Sequence, residues 1–169
     1  MRALAFLLAA LVALPAFAQA DDEEGEGVSV QAKQVSCTTG PYRIKLPKSY
    51  RALRRLALLK REKLMSEEVQ GDVRTAVREL RFVGAEILVF TSSDAPDRYT
   101  LARATFTTAK WRIMGPLRVG APASLALKGL PLKPVPRSGE VTLEGDGDSI
   151  LLTVAGGRVQ EIDYECGTE

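Results

Sequence analysis

The residues that could perform chemistry in this chain are few, because its 169 residues include no histidine. That absence removes the commonest general base, the usual catalytic triad and most zinc sites. Glu144, Asp146 and Asp148 stand at two-residue steps in LEGDGDS and could supply calcium oxygens or a hydrolytic pair. A calcium loop needs more ligands and a later bidentate Glu, so a tight turn between strands is the preferred interpretation.

A second arrangement, Ser49 beside Lys48 and near Lys45, could be a nucleophile with a basic partner. It belongs to neither a Gly-x-Ser-x-Gly nor a Ser-x-x-Lys motif, and a serine in front of a helical segment is typical of an N-cap. We therefore predict no catalytic residue, no metal site and no cofactor. A non-catalytic protein is expected, and a hydrolase that uses carboxylates is the alternative.

The first twenty residues have the layout of a secretory signal peptide. Arg2 precedes an apolar run over residues 3–14, and small residues follow before an acidic stretch. Cleavage is expected after Ala18 or Ala20, which would place the mature protein in the bacterial periplasm or release it as a secreted protein. A retained membrane helix is the alternative, but an apolar run of about a dozen residues is short for a bilayer core of about 30 Å.

The chain has two cysteines, Cys37 and Cys166. Oxidised pairs persist in exported proteins, so we predict one disulfide that joins the two ends of the fold, with two free thiols as the alternative. Lys and Arg total 23 against 21 Asp and Glu. This near balance, together with the exported location, argues against nucleic acid as a partner.

A strongly basic segment follows Pro47. Apolar positions at three- and four-residue steps in KSYRALRRLALLKREKLMSEE predict a helix with Ser49 as its N-cap. Its other faces would form a basic surface that docks anionic lipopolysaccharide or an acidic protein, or a solvated surface paired with nearby acids. The helix stripe is Leu53, Leu56, Ala57, Lys60 and Leu64, and the basic residues are Arg51, Arg54, Arg55, Arg61 and Lys63.

The rest of the chain is rich in strand signals. Runs of β-branched and aromatic residues between glycine-containing turns predict three strands in ELRFVG, AEILVFTSS and RYTLARATFTTAKW. Three more, EVTLEG, SILLTV and RVQEIDYEC, follow a short helix in APASLALKGL. Four aromatic residues on these strands are candidate interface anchors, although some are expected in the core: Tyr99, Phe106, Trp111 and Tyr164.

The similarity of YRIKLP to WRIMGP, each in front of a helix and three strands, favours an internal duplication over chance likeness. The predicted fold class is α+β, in which tandem duplicated units of a helix and an antiparallel three-stranded meander form one sheet with helices on one face. The predicted organisation is a signal peptide at 1–20, a disordered acidic lead-in at 21–34, a first repeat at 35–110 and a second repeat at 111–169.

The segment LRVGAPASLALKGLP, with Gly120, Gly129 and Pro131, followed by GDSILLTVAGGRVQEIDY, resembles the small α+β units of two related groups. These are the β-lactamase inhibitor proteins and the small lipoprotein of the outer-membrane barrel-assembly machinery. The resemblance covers about residues 112–166. It implies an α+β fold that binds other proteins with a concave sheet face. The first repeat has Pro47 near the position of the expected glycine, and the acylated cysteine of the lipoprotein is missing.

These observations lead to two functional hypotheses. The first is an exported, non-catalytic protein-binding domain of the bacterial envelope, of the inhibitor or immunity type, with another envelope protein as its partner. The alternative is an envelope or outer-membrane assembly or maintenance factor that docks through the basic helix. The two differ in salt dependence, because screening weakens a docking surface built from arginines more than an apolar one.

Overall fold

The computed structural model describes residues 27–32, 35–111, 117–132 and 134–167. The predicted signal peptide at 1–20 lies outside these ranges. No helix in the described part of the chain is long and apolar enough to cross a membrane. The elements are β1 (Val28–Gln31), α1 (Tyr50–Arg54), β2 (Leu59–Gln70), β3 (Val73–Phe82), β4 (Ala85–Ser92), β5 (Thr100–Phe106), α2 (Ala123–Ala126), β6 (Gly139–Glu144), β7 (Ser149–Ala155) and β8 (Arg158–Glu165).

The strands form one mixed sheet in the order β1-β6-β7-β8-β5-β4-β3-β2. β1 pairs with β6 in parallel, and the other neighbouring strands pair antiparallel. The meander β2 to β5 and the meander β6 to β8 meet where their last strands, β5 and β8, pair. The two meanders therefore run outward from a shared centre, and the duplication itself stays a prediction.

One face of the sheet, here called the inner face, carries the core. Side chains alternate between the two faces along a strand, and the inward residues of the central strands, such as Leu80, Ile87, Phe106 and Tyr164, are buried. A layer of loops and the two short helices packs over them. This layer contributes Val35, Cys37, Tyr42, Ile44, Leu53, Trp111, Leu117, Ala126 and Leu127 to the core.

The opposite face is here called the outer face. The helices and the longer loops of the described ranges pack on the inner side, so the outer face is left without a second layer. Paired residues cross it in rows, because antiparallel neighbours that face each other point to the same side. One row runs Arg81, Glu86, Thr105, Asp163 and Leu151 from β3 to β7.

The predicted α+β fold class is wrong, because the described part of the chain forms one eight-stranded sheet with two short helices, and about half of the basic segment is a strand. α1 ends at Arg54, and Leu59–Gln70 pair with β3 as β2. In the predicted helix stripe, Leu56 and Leu64 are 42% and 46% exposed. A helix gains most of its stability by packing an apolar face, and pairing with β3 satisfies the backbone of β2 instead. The second unit contributes a helix of four residues, so neither unit adds a full helical layer.

The predictions for β4, β6, β7 and β8 are confirmed to within one residue at each end, and β5 lies within its predicted run. The predicted run ELRFVG covers only the end of β3, which begins at Val73. The acidic lead-in is not disordered throughout, because Val28–Gln31 form β1. Val30 is buried there and pairs with Leu143 of β6. The other end of the sheet is β2, the longest strand in the described chain at 12 residues.

Candidate functional site

The predicted disulfide between Cys37 and Cys166 is confirmed, with Cα atoms 5.8 Å apart. Asp148 secures both of its ends. Its Oδ2 accepts a hydrogen bond from the backbone N–H of Cys37 at 2.7 Å, and its Oδ1 accepts one from Gly167 at 2.8 Å. Cys37, Asp148 and Cys166 are the one close group of metal-ligand side chains in the described ranges. Disulfide sulfurs are not thiolates, so this group is structural.

The remaining candidate chemical groups do not converge. Glu144 accepts hydrogen bonds from Ser29 and Gln31 and so ties β6 to β1, while Asp146 lies exposed in the turn before β7. Ser49 is the N-cap of α1, as predicted, and its Oγ accepts from the backbone N–H of Ala52 at 3.2 Å.

The predicted basic surface is divided into two groups. Arg51, Arg54 and Arg55 line a shallow cavity of 390 Å³ together with Leu59. Arg61 and Lys63 instead lie on β2, where pairing with Arg81 and Glu79 places them on the outer face. The two groups therefore do not form one docking surface on a helix.

Glu62 organises the first of these groups. Its carboxylate lies 2.8 Å from Arg54 Nε and 3.2 Å from Arg78 Nη1, and it accepts a hydrogen bond from the Tyr50 hydroxyl at 2.8 Å. Burial, followed by the hydrogen bond to Glu62, raises the pKa of Tyr50 to about 12. Arg51 and Arg55 have no ion-pair partner among the described residues.

The four candidate interface aromatics belong to the inner side of the molecule. Phe106 and Tyr164 are fully buried, and Trp111 is 9% exposed. The Phe106 ring centroid lies 5.6 Å from that of Trp111 and 6.4 Å from that of Tyr164. Tyr99 is half-buried and donates its hydroxyl to Pro47 O, and burial raises its pKa to about 12. Three of these side chains are core residues and are not available as surface anchors.

The outer face contains the charged groups that are most completely screened from water in the described part of the chain. Asp163 and Glu79 are the buried charged residues of the described chain, with side chains 6% and 5% exposed. Both stand on a sheet face that no second layer covers. Their burial must therefore come from neighbouring side chains lying across them.

Arg103 and Thr105 enclose the Asp163 carboxylate. Arg103 Nε donates to Oδ1 at 3.0 Å and Nη2 donates to Oδ2, which makes the pair bidentate. Thr105 Oγ1 donates to Oδ1 at 3.0 Å. The hydrogen bond to Asp163 raises the pKa of Arg103. Asp163 is thus held in one orientation at the centre of the sheet, where β5 and β8 meet.

Arg81 joins the other buried carboxylate to a second acid. Its Nε lies 2.5 Å from Glu79 Oε1 and 3.1 Å from Glu86 Oε2. Burial would raise the pKa of the Glu79 carboxyl, but the hydrogen bond and charge of Arg81 outweigh it and lower that pKa. Burial and the charge of Glu79 raise the pKa of the Glu86 carboxyl. Arg81 therefore stabilises the charged form of Glu79 more than the charged form of Glu86.

Apolar side chains lie between these charged groups. Leu88 separates Glu79 from Arg103 in one row, and Leu151 follows Asp163 in the next. Both leucines are half-buried, as is Phe90 of β4. The face thus combines fixed charges of both signs with apolar surface.

Comparison with known proteins does not extend this description. No family model, curated protein or solved structure matches the chain. The residues of the outer face and of the arginine-lined cavity are therefore the features of the molecule that point to a function.

Sequence reasoning missed Glu79, Arg81, Arg103 and Asp163 as a group. Their contacts join strands up to 60 positions apart along the chain, and the register that brings them together is set by the whole sheet. The available signal was a charged residue in the middle of a strand, as in the Ile162-Asp163-Tyr164 run of β8.

Proposed function

We propose that this chain is an exported, non-catalytic protein-binding domain of the bacterial envelope that binds another protein through the outer face of its sheet. The main support for this proposal is the structure of the outer face. It has no second layer in the described ranges, yet its central carboxylates are fixed by arginines and a threonine.

Preorganised charge supports binding because a partner does not have to immobilise it. Arg103 and Arg81 are each about half exposed, with side-chain exposures of 52% and 50%, and each is held by a buried carboxylate. Arginine is a frequent interface anchor, and its planar head can contact apolar and acidic groups. With Leu88 and Leu151 beside them, these residues fit a protein surface that carries apolar side chains between charges of both signs.

Site-specific photocrosslinking tests this proposal on the full chain in its native cells. A benzophenone side chain is placed at Leu88 or Leu151 on the outer face, and at Leu125 as the matched control. Leu125 is 55% exposed on α2, which packs on the inner side. We expect the same discrete protein adduct from both outer-face positions and none from Leu125.

The added variant Leu151→Arg sharpens the result. A long charged side chain in the middle of the face should abolish the adduct formed at Leu88, while Leu125→Arg should leave it unchanged. An adduct that forms equally from Leu125, or that survives Leu151→Arg, would refute binding through the outer face.

A specific observation favours a second candidate function, docking of anionic envelope material. The cavity lined by Arg51, Arg54 and Arg55 holds three guanidinium groups, of which Arg54 alone has a carboxylate partner within the described chain. Such a cluster suits the phosphates of lipopolysaccharide or an acidic protein surface.

Sedimentation with lipopolysaccharide aggregates tests this second candidate. Replacing Arg51 and Arg55 by Glu keeps the Arg54 pair with Glu62 and should remove salt-sensitive binding. Arg118→Glu is the control, because Arg118 is exposed and lies outside the cavity. Equal sedimentation of the wild type and the double variant would eliminate the cavity as a docking site.

A further inference from the structure

The two edge strands of the sheet differ in length. β1 has four residues and forms one edge, whereas β2 has 12 and forms the other. Ten residues of β2 are exposed, and within the described chain nothing pairs with its free side. An edge strand of this length presents a row of unpaired N–H and C=O groups that can pair with another strand.

The exposed side chains of β2 include a central apolar group. Leu64 and Met65 are 46% and 49% exposed. On either side of this centre the charge changes sign. Lys60, Arg61 and Lys63 precede it, and Glu67 and Glu68 follow it. A strand that is basic in its first half and acidic in its second is complementary to an antiparallel copy of itself.

A bulge in β2 fixes which register is acceptable. Leu64 pairs with Arg78 and Ser66 with Val77, so Met65 is the extra residue. The alternation of faces therefore shifts by one position at Met65. Arg61, Lys63, Ser66 and Glu68 all lie on the outer face, while Glu62, Leu64 and Glu67 lie on the inner face.

We propose that β2 pairs antiparallel with β2 of a second copy of this chain, which would make one continuous sheet across a two-fold homodimer. Two copies match face to face when Arg61 lies opposite Glu68 of the other copy. The same register sets Lys63 opposite Ser66, and Leu64 opposite Met65, so the apolar residues meet at the two-fold axis. A register two residues further along would set Leu64 opposite Glu67.

One pair in this register brings like charges together, because Glu62 lies opposite Glu67. Both carboxylates already have cationic partners within their own chain. Glu62 contacts Arg54 and Arg78, and Glu67 lies 3.2 Å from Arg74 Nε. These arginines offset the repulsion, so this pair does not oppose the register. The proposal is independent of the partner bound by the outer face.

The test is sedimentation velocity of the oxidised mature chain over a range of concentrations. We expect a reversible dimer for the wild type. Arg61→Glu and Glu68→Arg should each raise the dimer dissociation constant at least tenfold, because each sets like charges opposite one another at both symmetric positions. The double variant R61E/E68R should restore dimerisation to within about threefold, since it exchanges the two charges and keeps them opposite.

The rescue is specific to pairing between chains. Arg61 and Glu68 are seven residues apart along an extended strand, or about 23 Å, so they do not contact each other within one chain. Arg118→Glu with Asp94→Arg is the matched control, since both residues are exposed and lie outside β2, and it should change nothing. A monomeric wild type at 100 µM, or a dimer that is insensitive to Arg61→Glu, would overturn the proposal.

Hydrogen exchange provides a second measurement if a single variant folds poorly. Dimerisation should slow exchange of β2 amides as the wild-type concentration rises, while β1 amides should be unaffected. Concentration-independent exchange in β2 would overturn the proposal even without any variant.

Discussion

The two faces of the sheet both bury side chains, but they do so by different means. On the inner face, Phe106 and Tyr164 are buried because loops and short helices cover them. On the outer face, Asp163 and Glu79 are buried because arginines from their own sheet lie across them. Burial by a packed layer depends on many apolar contacts, whereas burial by an arginine depends on one ion pair. The inner face should therefore contribute more to stability than the outer face, whose ion pairs hold its charged groups in place for a partner.

Phe106→Ala tests how much of the stability comes from the packed inner face. Phe106 is fully buried between Trp111 and Tyr164, so truncation should lower the free energy of unfolding by about 3–5 kcal/mol. Urea denaturation measures this free energy. Leu151→Ala on the outer face is the control and should lower it by about 1 kcal/mol or less. Equal effects would mean that the two faces are packed alike.

Removal of the disulfide tests the attachment of the inner layer. Cys37 lies in that layer and Cys166 follows β8, at a sequence separation of 129. Replacing both by Ser should lower the free energy of unfolding by roughly 2–5 kcal/mol, chiefly because the unfolded chain regains freedom. Reductant should affect the wild type in urea denaturation and leave the double variant unchanged. An equally stable double variant would show that packing alone holds the layer.

Much of the inner face follows from sequence. Alternating β-branched and aromatic residues between glycine turns located β4 to β8 and the end of β3, and the pair of cysteines in a chain predicted to be exported indicated the disulfide. Which aromatics become core could not be read from alternation, because it does not say which face the rest of the chain covers. Phe106 and Tyr164 were therefore open to both interpretations until segment 35–49 and Trp111 were placed.

β2 could not be predicted from its composition. Lys, Arg, Glu and Leu are strong helix formers, and an exposed edge strand has no buried alternation to oppose that preference. The feature of the sequence that indicates a hairpin here is Gly71-Asp72, and Gly71 has a φ of +61° in the structure. A two-residue turn with glycine at its first position joins two antiparallel strands, and a strand was already predicted further along the chain at ELRFVG.

Asp163→Asn is the corresponding test of the outer face. It keeps the shape of the side chain but removes the charge that Arg103 and Thr105 bind. We expect a loss of about 1.5–3 kcal/mol in urea denaturation, in the range of hydrogen bonds to charged groups. Thr105→Val, which removes one neutral donor, should lose about 1 kcal/mol. A loss for Asp163→Asn as large as that for Phe106→Ala would place Asp163 in the energetic core.

The smallest expected effect is a pH dependence from Glu79. Its pKa is lowered in the folded state, so its stabilising contribution is complete above the unfolded value of about 4.3 and is lost as the pH falls through the folded value. Glu86 has the opposite shift, and its protonation on acidification relieves repulsion with Glu79. The comparison is therefore made in a Glu86→Gln background, where the shift in urea midpoint caused by Glu79→Gln should be complete at pH 6 and should decrease as the pH is lowered below about 4.3. A shift that does not decrease on acidification would mean that Glu79 stabilises the fold by packing, as inner-face residues do, and not through its charge.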